Sequence, residues 1–131
     1  MMTVSLCACG GGSSDNSTAA KAETAAVDKE SIKVGAILIG DENEGYTESH
    51  MKAIEAMKES IGLSDDQIIM KTNIGEDESC YDAAVDLAEQ GCNIMFANSL
   101  SHEDYVIQAA TDYPDIQFCH STVYQATSLG L

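Results

Sequence analysis

The chain has 131 residues, a length typical of one domain, and its 44% hydrophobic content with 5% aromatic residues and no Trp predicts an aliphatic core. Its 22 acidic residues against six basic ones give a net charge of −16, which repels phosphate backbones and anionic lipid headgroups. We therefore expect no nucleic-acid partner, and no apolar run approaches the roughly 18 residues of a membrane-spanning helix.

Residues 1–31 have the composition of a lipoprotein leader followed by a flexible tether. Leu6-Cys7-Ala8-Cys9 fits the lipobox pattern, with an apolar residue three positions before the modified Cys and a small one just before it. The Gly-, Ser- and Ala-rich stretch after Cys9 cannot bury a core. The eight residues before Cys9 contain no Lys or Arg, so a complete signal peptide is not present. Either the start lies further upstream or this is a cytosolic protein with a disordered N-terminus; the lipobox favours lipidation at Cys9.

Residues 32–131 form the predicted folded domain, in which strands alternate with helices. Continuous apolar runs predict strands at 31–39, 67–70, 93–97 and 116–119. A stripe of Met51, Ile54 and Met57 predicts a first helix with Gly62 as its C-cap. Asp77 is the expected N-cap of a second helix, which ends at Gly91. The stripe of the third helix is Tyr105, Val106, Ala109 and Ala110, and this helix stops before Pro114.

This alternation predicts right-handed βαβ crossovers and a parallel sheet. The predicted fold is therefore α/β, doubly wound, with strand order 2-1-3-4. The odd number of cysteines in the domain, Cys80, Cys92 and Cys119, indicates small buried thiols without disulfides.

The acidic pair Asp41-Glu42 after the first strand favours neither a phosphate site nor a receiver domain. The loop lacks the Lys-Ser/Thr of a P-loop, and its carboxylates repel phosphate. A receiver needs an Asp at the end of the third strand, where this chain has Ala97-Asn98.

No catalytic residue, metal site or cofactor is expected. Ser99 is not in a G-x-S-x-G elbow. His50, His102 and His120 lie on separate segments without metal-ligand spacing, and we expect each on the surface or in a polar loop.

Asp104 has two possible roles that do not exclude each other. Ser101-His102-Glu103-Asp104 has the S-x-x-[DE] form of a capping box. A helix N-terminus at the carboxyl edge of a sheet can also hold ribose hydroxyls. Either role is compatible with the residues alone.

Five segments together resemble the basic membrane protein (Bmp) family of solute-binding lipoproteins. They are Lys33-VGAILIG-Asp41, Gly45-Tyr46-Thr47 leading into His50, Gly91-CNIMFANS, the Ser99–Asp104 segment and Tyr113-PDIQF. The resemblance implies part of the first lobe of a periplasmic-binding-protein-like fold, no catalysis, and an ABC permease as partner. Several members bind purine nucleosides, with an aromatic side chain of the first loop stacked on the base.

The resemblance also assigns the ligand site and the location. Tyr46 falls on the stacking aromatic and Asp104 on the family's Asp after the third strand, with Asp41, Asn98, Ser99 and His102 on the same loops. Ser101 and His102 replace a glycine and an aromatic residue often found there. We therefore predict a nucleoside-like solute, a permease partner, and anchoring through lipid on the extracytoplasmic face of the cell membrane. The alternative is a small cytosolic flavodoxin-like or receiver-like signalling or enzymatic domain.

Overall fold

The structure is a computed structural model that describes residues 27–125. Cys9 and the rest of the predicted leader lie outside the described residues. The strands are β1 (Val34–Ile37), β2 (Ile68–Lys71), β3 (Ile94–Ala97) and β4 (Gln117–His120). The helices are α1 (Gly45–Ile61), α2 (Glu78–Glu89) and α3 (Glu103–Asp112), with 3-10 turns at Lys29–Ser31, Asp65–Gln67 and Leu100–His102.

The four strands form one parallel sheet in the order β2-β1-β3-β4, as predicted. In the register of the central strand, Val34 pairs with Ile68 on one side and Ile94 on the other. All four residues of β1 are buried, which explains the continuous apolar run. β1 and β3 are neighbours in the sheet, but the chain leaves β1 toward β2 on one side and leaves β3 toward β4 on the other side. The loops that follow β1 and β3 therefore meet at a topological switch point.

The helix ends follow the predicted capping residues. Asp77 accepts a hydrogen bond from the backbone N–H of Ser79 at 2.9 Å, which caps α2. Gly62 ends α1 in the left-handed conformation, with φ of 76°, and its N–H donates to the Lys58 carbonyl. These local signals lie within a few residues of the structure they specify, so the sequence was sufficient to find them.

Helices cover both faces of the sheet. On one face, α2 and α3 enclose the larger core, which includes Ile37, Leu87, Met95, Val106 and Phe118. A Cβ atom added to Gly35 would lie 2.9 Å from Leu87 Cδ1, so α2 packs directly on the β1 backbone. On the other face, α1 contributes Ile54 to a smaller core with Ala36 and Leu38. An apolar cavity of about 340 Å³ remains there between α1 and the β3–β4 half of the sheet.

The folded part includes residues assigned to the tether from sequence. The turn Lys29–Ser31 is tied to the domain by Gln67, whose amide donates to the carbonyls of Lys29 and Ile32. Asn93 Nδ2 donates to the Ser31 carbonyl. Among the described residues, no helix has the length and apolar character needed to cross a membrane.

The three cysteines of the domain are free thiols, as predicted. Cys80 and Cys92 are buried, and burial raises the pKa of Cys80 to about 12. Cys119 is only half-buried, which corrects the expectation that all three are core residues. It lines the apolar cavity beside α1, where part of the sheet is left open.

Candidate functional site

The loop after β1 is held in shape by its own carboxylates. Glu44 caps α1 by accepting hydrogen bonds from the N–H groups of Tyr46 (2.9 Å) and Thr47 (2.8 Å). The bond from the Thr47 N–H is the largest cause of the lowered pKa of Glu44. This cap was not predicted from the sequence, because Glu is not among the usual N-cap residues.

Asp41 connects the loops after β1 and β2. Its Oδ1 accepts from the Asn43 N–H at 2.9 Å, and its Oδ2 accepts from the Asn73 side chain at 3.2 Å. These bonds, led by the one from the Asn43 backbone, lower the pKa of Asp41. Asn73 has a positive φ of 55°, a conformation that Asn tolerates better than most residues. Asp41, predicted as a ligand contact, therefore already has partners within the loops.

Tyr46 joins the loops after β1 and β3. Its hydroxyl donates to the carbonyl oxygen of Asn98. Its ring meets His50 edge-on, with centroids 4.7 Å apart and an interplanar angle of 71°. The residue stays 46% exposed, so part of the ring is free for contact with another molecule. The expected proximity of the two loops at the switch point is present in this structure.

Asn98 also links these loops, but through a buried side chain. Its Oδ1 accepts from the Ile39 N–H at 2.9 Å, which continues the hydrogen bonding of β1 beyond the end of the strand. Asn98 is 2% exposed, and its Nδ2 is buried with no partner among the described residues. The amide therefore fixes the edge of the sheet, with one donor left unsatisfied.

Ser99 and His120 extend this network to the other loops. The Ser99 hydroxyl donates to Glu76 on the loop after β2. The Ser99 carbonyl accepts from His120 Nε2 at 2.6 Å, so His120 is a donor at this position. Glu76 and His120 were not among the predicted site residues. The position of Glu76 on the loop between β2 and α2, at the carboxyl end of the strand beside β1, was the signal that could have identified it.

His102 is fully buried, which corrects the prediction of a surface or polar-loop histidine. Its Nε2 lies 3.2 Å from the Ile74 carbonyl and 3.1 Å from the Gly75 carbonyl. Because both neighbours are acceptors, Nε2 carries the hydrogen and donates to them. Burial is the main cause of its lowered pKa. His102 binds the β2 loop to the β3 loop and does not present its ring at the surface.

The capping box predicted at Ser101–Asp104 is absent. Helix α3 begins at Glu103 with His102 as its N-cap, and no side chain caps it. A 3-10 turn at Leu100–His102 precedes α3, so the helix begins one residue later than the capping box requires. Ser101 is therefore not the N-cap residue. Asp104 is exposed, and its Oδ1 accepts from Gln125 Nε2 at 3.1 Å. The ligand-contact role predicted for Asp104 therefore does not compete with a cap.

Comparison with known proteins identifies one family model and several solved structures with a similar fold. A model of the Bmp family, described as ABC transporter substrate-binding protein PnrA-like, matches residues 33–128. One similar solved structure is a transcriptional activator of the comK gene from Bacillus halodurans, 13% identical, with a TM-score of 0.63 over 74% of this chain and 32% of that one.

A second similar structure is an ABC transporter system solute-binding protein from Conexibacter woesei DSM 14684. It is 20% identical, with a TM-score of 0.58 over 66% of this chain and 28% of that one. At these identities the two structures show the fold alone, and the chain spans less than a third of the length of either. No curated protein matches the chain.

Proposed function

Because the chain belongs to the Bmp family of PnrA-like ABC transporter substrate-binding proteins, we propose that it forms part of an extracytoplasmic receptor for a purine nucleoside or a similar small polar solute. The family match supports a solute-binding role, a small-molecule ligand and a transporter partner. It also argues against the alternative of a flavodoxin-like or receiver-like domain. The receptor delivers its solute to an ABC permease and has no catalytic step of its own.

The observation that carries the choice of solute is the position of Tyr46. Its ring is partly exposed at the switch point between the loops after β1 and β3, where open α/β sheets bind ligands. The hydrogen bond to the Asn98 carbonyl limits the motion of the ring before any ligand arrives. An aromatic face held in this way suits stacking on a planar base.

Asp104 supports the same solute through its charge and exposure. Its carboxylate is exposed on the first turn of α3, where Oδ1 accepts a hydrogen bond from the side-chain amide of Gln125. A ribose hydroxyl could replace that amide as the donor to Asp104. Asn98, Ser99 and His102 act in this proposal by fixing the loops, since their side chains already bond protein groups.

The direct test is calorimetric titration with adenosine, guanosine and inosine, on a protein that contains this chain together with the second lobe of the family fold. Saturable binding of at least one nucleoside, with weaker binding of free ribose, is the expected result. Binding of ribose as tight as that of the nucleosides would exclude stacking on Tyr46 as the basis of recognition. Absence of binding by every nucleoside would refute the proposed solute.

We also propose that Cys9 carries the lipid that anchors this receptor to the membrane. Leu6-Cys7-Ala8-Cys9 supplies a matched control, because the chain has a second cysteine two residues away. Expressed in bacteria with its upstream region, the protein should incorporate a palmitate analogue, keep the label in Cys7→Ala and lose it in Cys9→Ala. Equal labelling of the two variants, or none in the parent, would refute the anchor.

A further inference from the structure

The segment after β4 lies at the carboxyl edge of the sheet and is held there through its backbone. The Ser121 N–H donates to the Ala97 carbonyl at 3.1 Å, which attaches the segment to the end of β3. Farther along, the N–H groups of Tyr124 and Gln125 donate to one carboxylate oxygen of Glu103, at 3.0 and 2.9 Å. The backbone of this segment is therefore positioned by residues of β3 and α3.

Glu103 is the side chain that fixes the far end of this segment. It is only 2% exposed, although a Glu side chain is rarely buried. Its two backbone donors lie 21 and 22 residues later in the chain, so the carboxylate does not cap its own helix. Hydrogen bonds from N–H groups to a carboxylate are stronger than those between neutral groups. We therefore assign to Glu103 the task of holding Tyr124 and Gln125 beside the start of α3.

The side chain of Tyr124 stays exposed although its backbone is fixed. The residue is 76% exposed, and it lines a cavity of about 380 Å³ together with Leu100 and Asp104. Leu100 is also an exposed apolar residue. Sites for small molecules typically combine aromatic and apolar side chains with a few polar groups. Tyr124 is thus accessible on the same cavity as the carboxylate that we propose for the sugar of the solute.

The side-chain amide of Gln125 shows that the Tyr124 hydroxyl lies close to Asp104. Its Nε2 donates to Asp104 Oδ1 at 3.1 Å and to the Tyr124 hydroxyl at 3.3 Å, and both bonds are exposed to solvent. One nitrogen therefore contacts both groups. A hydroxyl in the place of this nitrogen can donate to the carboxylate and accept from the phenol at the same time, because a hydroxyl is both donor and acceptor.

We infer that Tyr124 is a further solute-contacting residue, whose hydroxyl donates to the same ribose hydroxyl that donates to Asp104. Glu103 is the positioning residue that holds Tyr124 there, and the ribose hydroxyl takes the place of the Gln125 amide. The inference rests on the proposed function and adds a specificity determinant to it, since Tyr124 and Asp104 recognise the sugar while Tyr46 stacks on the base. A solute without these sugar hydroxyls loses both bonds, so the pair selects ribonucleosides over their dideoxy analogues.

The test compares a ribonucleoside with its 2′,3′-dideoxy analogue by calorimetry, on a protein that contains this chain and the second lobe. The ribonucleoside is whichever of adenosine, guanosine and inosine binds most tightly. Tyr124→Phe removes the hydroxyl and keeps the ring, so it should weaken ribonucleoside binding by about 2- to 12-fold. Its affinity for the dideoxy analogue should stay the same, so the preference for the ribonucleoside falls.

The matched control is Tyr81→Phe. The Tyr81 hydroxyl also donates to a carboxylate, that of Asp112 at 2.8 Å, but Asp112 is the last residue of α3 and so lies at the opposite end of this helix from Asp104. Tyr81→Phe should leave the affinities for both solutes unchanged. A loss of ribonucleoside preference equal to that of Tyr124→Phe would overturn the inference.

The positioning role of Glu103 is tested with two substitutions. Glu103→Gln keeps an acceptor for the Tyr124 and Gln125 N–H groups and should retain the ribonucleoside preference, whereas Glu103→Ala should lose it. Hydrogen exchange provides a readout without any solute. The amides of Tyr124 and Gln125 should exchange slowly in the parent and in Glu103→Gln, and faster in Glu103→Ala, while the amides of β1 stay protected. Loss of protection in β1 identifies a variant that has not folded, and Tyr124→Phe then decides the outcome.

The outcomes separate this inference from the proposed function on which it rests. An unchanged ribonucleoside preference in Tyr124→Phe overturns the inference, while binding of the nucleoside itself keeps the proposed function. Equal exchange of the Tyr124 and Gln125 amides in the parent and in Glu103→Ala overturns the positioning role of Glu103. Absence of binding by every nucleoside refutes the proposed function, and the inference with it.

Discussion

The two functions assigned to Tyr46 can be separated by removing first its hydroxyl and then its ring. Tyr46→Phe deletes the hydrogen bond to the Asn98 carbonyl and keeps the aromatic face. A hydrogen bond of this kind contributes about 0.5–1.5 kcal/mol to stability, and the 46% exposure of Tyr46 places the expected loss in the lower half of that range. With a urea m-value of about 1–3 kcal/mol/M, the unfolding midpoint should fall by roughly 0.5 M.

Nucleoside binding should respond differently to the two substitutions. Tyr46→Phe should bind nearly as well as the parent, because stacking needs only the ring. Tyr46→Ala should lose about 1–3 kcal/mol of binding free energy, which corresponds to about 5- to 150-fold in affinity. Urea denaturation and calorimetry on both variants measure the two effects. Normal binding by Tyr46→Ala would place the ligand elsewhere, and an unchanged midpoint in Tyr46→Phe would show that the hydroxyl does not stabilise the fold.

Three further outcomes follow from the packing and the pKa directions. Leu87→Ala leaves a cavity at a fully buried position against β1, so the free energy of unfolding measured in urea should fall by about 2–5 kcal/mol. A decrease of less than about 1 kcal/mol would show that α2 moves toward the sheet and fills the cavity. Asp104→Ala should weaken nucleoside binding by about 1.5–3 kcal/mol. Because Asp104 caps no helix, the same substitution should change the free energy of unfolding by less than about 0.5 kcal/mol. A large drop in melting temperature would contradict this second expectation. Because burial lowers the folded-state pKa of His102, the unfolded chain takes up the proton first and stability should fall as the pH drops below about 6.5. In His102→Gln, the urea midpoint should therefore depend less on pH between 7.5 and 5.5 than it does in the parent. The same pH dependence in both proteins would show that other groups cause the effect.

The sheet was predictable because its signals are local or periodic. The apolar runs around Val34 and Ile94 mark buried strands, and Gly62 and Asp77 mark helix ends within one turn of their effect. The right-handed βαβ crossovers then limit the strand orders to a few, of which 2-1-3-4 is one. The strand starts were predicted up to three residues too early, as at Ser31, which precedes the start of β1 at Val34. Ser31 belongs to a 3-10 turn, and such a short turn beside apolar residues has no periodicity that distinguishes it from a strand.

The site was less predictable because its contacts join residues far apart in the chain. Asn98 accepts from Ile39, 59 residues earlier, and His102 donates to carbonyls 27 and 28 residues earlier. A polar residue whose partners are distant carbonyls has the same sequence signature as one that faces water. Glu103 could have been found, since it lies three residues before Val106 on the buried stripe of α3. It was not predicted because a Glu side chain is rarely buried.

The bond between Asn98 Oδ1 and the Ile39 N–H has a consequence for hydrogen exchange. Ile39 lies two residues beyond β1, where a loop amide would ordinarily exchange rapidly with solvent deuterium. Here a side chain from the neighbouring strand's loop takes the place of a main-chain acceptor, so the exchange rate of this amide reports whether the two loops are together. Opening of the switch point would release the Ile39 amide while the amides of β1 stay protected, which distinguishes local opening from global unfolding of the sheet.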